Sequence, residues 1–251
     1  MGVPGLTETV REQVRMGRLL PLGDPVPAGA GWIAEGAVRE LLTGDAHTVP
    51  GARLLRLRFS PDTTAAPLGR EERPAAGLTA GSVLLEAEVL LSGEEPLPQA
   101  AERVRTALTA GARALSLPVT AVDVRVAGLL EAEGTGEERP EEPGDGAPTV
   151  PDTPAARTPS RPGSTSGDTD ARERAVVTAV TAPTGVRGTV PFPGPAGPSV
   201  RVAPTGEAGW VEVQLALARD ADMGATVAEA ARAGAASAGR RVRILVVRLE
   251  D

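Results

Sequence analysis

The stretch 82–129, SVLLEAEVLLSGEEPLPQAAERVRTALTAGARALSLPVTAVDVRVAGL, reads as strand, helix, strand. Between Val83 and Leu91 the residues Leu85, Ala87, Val89 and Leu91 recur at the period of two that turns one face of a strand to a core. Ser92-Gly93-Glu94-Glu95-Pro96 breaks the run, because Gly and Pro punctuate regular structure. Leu97, Ala101, Val104, Leu108, Gly111 and Leu115 then recur at steps of three and four, one face of an amphipathic helix with Pro98 in its first turn. Pro118 ends that helix, and Val122, Val124 and Val126 alternate with Asp123 and Arg125 as a second strand.

The same order recurs near the C-terminus. Val211, Val213, Leu215 and Leu217 alternate; Asp222 offers a helix N-cap; Met223, Val227 and Ala231 follow at helical spacing; Val242, Ile244 and Val246 alternate again. Ala101-Glu102-Arg103-Val104-Arg105 lines up with Ala228-Glu229-Ala230-Ala231-Arg232. Working outward, a helix is expected ahead of each copy. Trp32 to Leu42 carries the face Trp32 or Ile33, Ala37, Val38, Leu41 and Leu42, and Ala171 to Val180 carries Ala175, Val176, Ala179 and Val180. A turn, Val49-Pro50-Gly51-Ala52, leads to a strand at Arg53–Phe59, with Leu55, Leu57 and Phe59 on one side and Arg56 and Arg58 on the other. In the second copy Ala182-Pro183-Thr184-Gly185-Val186 echoes that turn, a proline-rich excursion runs from Pro191 to Pro198, and Ser199–Ala203 is a short strand. The predicted fold class is α+β: two copies of a two-layer helix-strand-strand-helix-strand module.

Leu6 to Arg18 is a further helix candidate, with Thr9 and Glu12 in a capping-box pattern, and Gly17 to Gly23 an apolar lead-in. Ser60 to Gly81, rich in Pro, Gly and Thr, reads as a long mobile loop. Residues 131–170 hold ten acids, three arginines and seven prolines, the composition of a disordered acidic linker. The expected division is a first module over 1–130, the linker over 131–170 and a second, degraded module over 171–251.

Of the formal charge of −7, that linker carries all; elsewhere 23 acids balance 23 arginines. A neutral remainder lacks the basic footprint of a nucleic-acid binder. No apolar run approaches the ~20 residues that span a bilayer, which argues against direct membrane insertion. The charged N-terminus does not read as a signal peptide, so a cytoplasmic location is expected. Cysteine is absent and so is lysine, which removes thiolate, Schiff-base and Walker-type phosphate chemistry. The expectation is no catalytic site, no cofactor and no metal site.

Individual residues support that expectation. His47, the one histidine, is a candidate base or ligand, but it stands in a polar segment and is expected on an exposed loop. Arg56, Arg58, Glu86, Glu88, Asp123 and Arg125 fall on the outward sides of their strands, either as a charged-ligand site or as a cross-strand charge ladder. Glu86 and Glu88 form a carboxylate pair without any accompanying pocket signature. Trp32 and Trp210 are candidate partner anchors or core-edge residues. Leu54, Leu90, Leu245 and Val247 lie opposite the inward sets of their strands. Apolar residues on both faces imply cover on both, so these four, with Trp32, are the candidate partner-binding residues, contacting the other sheet or another subunit.

A helix opening Trp32-Ile33-Ala34-Glu35, the turn Val49-Pro50-Gly51-Ala52 before a strand, the strand Leu85–Leu91, the helix of Ala101-Glu102-Arg103-Val104-Arg105 and the strand Val122-Asp123-Val124-Arg125-Val126 resemble the alkaline shock, or envelope stress response, family of bacteria. The likeness covers 31–129, with a degraded copy from Ala171; the duplication, the acidic linker and the 60–81 loop depart from the pattern. The chain also looks like a group of proteins from high-GC bacteria that carry a nucleopolyhedrovirus-derived family name. The resemblance implies a non-enzymatic interaction or scaffold protein linked to envelope stress. Such a protein oligomerises or binds a small membrane-anchored partner, and is itself cytoplasmic. The alternative class is a small-ligand-binding regulatory module using the arginine-bearing sheet face.

Overall fold

A computed structural model describes residues 16–26, 29–64, 74, 76–79, 81–130, 166–192, 198–202 and 209–251. In chain order the elements are β1 (Leu19–Val26), β2 (Gly29–Ala34), α1 (Glu35–His47), β3 (Ala52–Pro61), β4 (Val83–Leu91), α2 (Leu97–Ala114) and β5 (Val119–Leu129). They continue as α3 (Ser166–Thr181), β6 (Val186–Thr189), β7 (Val200–Val202), β8 (Val211–Ala218), α4 (Met223–Ala238) and β9 (Val242–Glu250). The fold is α+β, and the two copies share one plan. In the first, β3 lies antiparallel to β4 and β4 parallel to β5. In the second, β6 and β7 both lie antiparallel to β8, and β8 is parallel to β9. β6 pairs with the C-terminal half of β8 and β7 with its N-terminal half. They are thus one strand, the counterpart of β3, interrupted by the prolines between 191 and 198, which bring no N–H to a ladder.

The N-terminus departs from expectation. Trp32 and Ile33 do not open a helix; they lie in β2, which pairs in parallel with β9, Trp32 opposite Leu245 and Ile33 opposite Val246. The apolar lead-in is β1, the hairpin partner of β2. One sheet therefore runs β1-β2-β9-β8-β6, with β7 also on β8, and the other β3-β4-β5. Val38 and Leu42 do share the buried face of the helix, but a strand neighbour near the other end of the chain leaves no local mark on Trp32 and Ile33. α1 starts at Glu35, whose carboxylate favours the positive end of the helix.

A single hydrophobic core joins both copies, from Leu85, Val104 and Leu108 in the first to Leu215, Val227 and Ile244 in the second. Two of the close approaches that glycine permits lie where helices cross. A Cβ on Gly31 would lie 2.4 Å from Val227 Cγ1, where α4 crosses β2. One on Gly111 would lie 2.2 Å from Asp45 Oδ2 and 2.7 Å from Leu42 Cδ2, where α2 crosses α1. Burial there raises the Asp45 carboxyl above the ordinary aspartate value. The buried stripe of α2 is Ala100, Val104, Leu108 and Ala112. It is rotated from the expected face, so that Leu97 stays 37 % exposed. Across the copies, Arg219 Nη2 donates to Glu40 Oε1 at 2.8 Å, and Gly23 N of β1 donates to Ser116 O, just past α2, at 2.8 Å.

A bulge in β3 between Leu54 and Arg56 resets its faces. Leu54 turns inward opposite Val89, and Leu55, expected inside, is 49 % exposed. The second face of the larger sheet is covered, at least in part, from within the chain. Leu245, Trp32, Leu19 and Ala34 form a buried cluster there with Phe192 of the proline-rich excursion. Leu78 anchors the expected mobile loop to β1: Leu19 N donates to Ala76 O and Leu78 N to Leu19 O, each at 2.9 Å. α3 begins at Ser166, ahead of the expected boundary at Ala171. Most of the helix candidate at 6–18, and the linker over 131–165, lie outside the described residues.

Two stability outcomes follow. Gly111→Ala is expected to cost about 1–3 kcal/mol in urea unfolding, the range for overpacking. Gly44→Ala, within α1 with open space around it, is expected to be neutral or to gain up to about 1 kcal/mol. A fragment of residues 166–251 lacks β2, so it is expected to show no cooperative unfolding by circular dichroism, whereas the full chain does.

Candidate functional site

A cleft of about 690 Å³ lies between α1 and β3. Its wall is Arg18, Glu35, Arg39, Thr43 and the run Leu54–Ser60. Glu35, 7 % exposed, is held from two sides. Arg18 Nε donates to its Oε2 at 2.9 Å, and Arg39 Nη2, one helical turn on, donates to its Oε1 at 2.6 Å. Arg18 Nη2 also donates to Phe59 O at 2.6 Å, closing part of the outer edge of β3. The backbone fixes the geometry at Glu35 N→Arg18 O, 2.8 Å, and Gly17 adopts φ +69° where a Cβ would meet Glu35 Cβ at 3.4 Å.

Arg56 and Arg58 enter the same wall from the outward face of β3. The register sets Arg56 opposite Glu88 and Arg58 opposite Glu86; beyond these, Glu88 faces Arg125 and Glu86 faces Asp123. The expected ladder of six charges is therefore assembled on the open face of the smaller sheet. Four guanidiniums meet one carboxylate in the cleft wall, and that carboxylate is already shared by Arg18 and Arg39. Arg56 and Arg58 form no ion pair among the described residues. The wall suits a carboxylate or another flat anion, which guanidinium forks bind in pairs of hydrogen bonds.

Other singled-out residues lie elsewhere. His47 is exposed, as expected, though as the last residue of α1 and not in a loop. Trp32 is 1 % exposed and Leu245 3 %, so neither is available to a partner; Leu54 is inward, while Leu90 and Val247 are half-buried. Trp210 is buried beneath Arg243, whose guanidinium carbon stands 4.7 Å from the ring centre, with Arg241 at 5.5 Å. Among the described residues no group of three or more His, Asp or Glu side chains is placed to hold a metal. No helix among them is long and apolar enough to cross a membrane.

Sequence reasoning missed Arg18, Glu35 and Arg39, because Arg18 and α1 meet only through the β1–β2 hairpin. It also missed a charged row inside the larger sheet, where Arg201, Glu212 and Arg243 sit side by side on β7, β8 and β9. Glu212 accepts from Arg243 at 2.5 Å and from Arg201 at 2.8 Å. Burial pushes the Arg243 guanidinium below the usual arginine value, while hydrogen bonding and the charge of Glu212 oppose that shift. Arg201 stacks on Phe192 at 4.5 Å. The row ties the outer face together, with Glu212 and Arg243 buried and Arg201 exposed at its end.

No family model matches this sequence, and no curated protein matches it. Among solved structures, the chain is similar to a variant of the MamM CTD in its zinc form, at 18 % identity over 39 % of this chain and 88 % of that one, with a TM-score of 0.25. A likeness that slight carries nothing about function.

Glu212→Gln leaves Arg243 buried opposite a neutral group. It is expected to cost about 3–5 kcal/mol, the range for breaking a buried pair. Glu35→Gln, whose arginine partners are half-exposed, is expected to cost about 1 kcal/mol; urea midpoints of the two variants check the order.

Proposed function

We propose that the chain is a non-enzymatic interaction protein that holds an acidic protein partner against the α1–β3 cleft. The observation that carries this is the imbalance of that wall: Arg18, Arg39, Arg56 and Arg58 against Glu35 alone, with the exposed Leu55 beside them. Arginine and an adjoining apolar side chain on a rigid strand make a strong anchor pair at interfaces. Two of the guanidiniums keep their forks for a partner. The histidine and the carboxylate pair singled out from the sequence stand elsewhere: His47 is exposed at the far end of α1, and Glu86 and Glu88 are on an open sheet face. Both placements support a reading without chemistry.

The resemblance to the envelope stress response family extends the proposal. The partner is then a small membrane-anchored protein with an acidic cytoplasmic segment, and this chain is a cytoplasmic scaffold drawn to the envelope through it. A small polyanion in the same wall is the second reading, favoured by the enclosed volume of the cleft.

Tagged wild-type protein and an Arg56→Glu/Arg58→Glu double variant, purified from native cells, test both. A membrane protein that recurs with the wild type, weakens with added salt and is lost from a variant of unchanged Tm supports the first reading. A bound metabolite found by mass spectrometry in the wild type alone supports the second. Identical companions for both proteins would exclude the cleft.

A further inference from the structure

The two sheets end in four edges, and three are closed. β1 has Pro21 within it and a bulge between Leu22 and Val26, and it takes up residues 76–78 through two hydrogen bonds. β6 and β7 are four and three residues long. β3 is bulged at Leu55, and Arg18 sits on its Phe59 carbonyl. Short strands, bulges and covering groups are how edges are kept from pairing with other chains. β5 differs: it is the longest strand, eleven residues without proline, and among the described residues it pairs only with β4. Among the described residues, Arg105 Nε donates to Val122 O at 3.1 Å and leaves that oxygen a second lone pair. The equivalent edge in the second copy, that of β9, is filled by β2.

We propose that the β5 edge is filled by the β5 edge of a second copy of this chain, joining the two small sheets into one six-stranded sheet about a twofold axis through Val124. A twofold axis normal to the sheet makes the two strands antiparallel and lets only residues on one face meet. Centring on Asp123 sets acid against acid, and centring on Arg125 sets arginine against arginine. Centring on Val124 sets Asp123 against Arg125 of the partner subunit, twice, and Val122 against Val126 of the partner subunit on the other face. Val124 also lies within the regular part of the strand: residues 121–126 hold unbroken register with β4, and both irregularities lie outside them.

A charge left over within the chain supports the pairing. Asp123 stands beside Glu86, a like-charge neighbour, and neither Asp123 nor Arg125 forms an ion pair among the described residues. Like charges directly opposite are destabilising. In the joined sheet one row reads Arg58, Glu86, Asp123 and then the partner subunit's Arg125, so the acid pair is bracketed by arginines.

Sedimentation velocity on the full chain tests this. The wild type is expected to be a dimer at micromolar concentration. Asp123→Arg alone and Arg125→Asp alone are each expected to be folded monomers. The double variant Asp123→Arg/Arg125→Asp is expected to recover the dimer. An equimolar mixture of the two single variants is expected to form a heterodimer, since each supplies what the other lacks. Because the chain has no cysteine, Val124→Cys gives a check that does not disturb charge. Either antiparallel pairing brings the two α-carbons to about 4.5–5.5 Å, inside disulfide reach, so mild oxidation is expected to yield a covalent dimer. A monomeric wild type, single variants that remain dimeric, or a Val124→Cys protein that does not cross-link would each overturn the proposal. None of these outcomes bears on the cleft, whose arginines are left unchanged.

Discussion

The parallel ladder between β2 and β9 is the contact on which the rest depends. It takes the residues just ahead of the first copy and makes them a central strand of the second copy's sheet. That pairing buries Ile33 among core residues of both copies, seats Gly31 under Val227 of α4 and puts Trp32 on the far face beside Leu245. Without it β9 would be an open edge carrying five buried residues, and α1 would have no fixed start. The two copies are consequently not beads on a string: hairpin, helices and both sheets share one core, and the charge pair between Arg219 and Glu40 closes over it.

The same hairpin creates the cleft. Arg18 precedes β1 and Glu35 follows β2, so the antiparallel turn brings them together and lets one carboxylate organise two guanidiniums. Arg56 and Arg58 arrive by a separate route, the outward face of β3. Their placement beside α1 comes from the bulge at Leu55, which turns Leu54 inward and leaves Leu55 outside. The site is thus a by-product of joining a strand from one end of the chain to a sheet from the other, a contact that a lone module of this type would lack.

The copies have diverged in how they treat their edges and faces. The larger sheet is covered on its outer side by a cluster that includes Phe192, and it buries Glu212 and Arg243 of its charged row. The smaller sheet leaves its outer side to alternating charges, and among the described residues no strand pairs with the far edge of its β5. One copy has become the buried framework and the other carries the exposed surfaces.

Much of this was legible in the residues. Alternation fixed β4, β5, β8 and β9; three-four spacing fixed α2 and α4; the order of elements exposed the duplication and the α+β class; and period two placed the six ladder charges outward. These are local patterns, set by the geometry of one element. The strand identity of Trp32 and Ile33, the inward turn of Leu54, the rotated stripe of α2 and the Glu35 cluster were not legible. Each depends on which distant segment a residue meets, and a short apolar run beside glycine satisfies helix and strand equally until a neighbouring strand supplies its hydrogen bonds. The sequence by itself determined which elements exist and which way most of them face; only the tertiary structure decided which sheet the N-terminal hairpin joins, because that choice is made by backbone pairing across the whole chain and not by the composition of the hairpin.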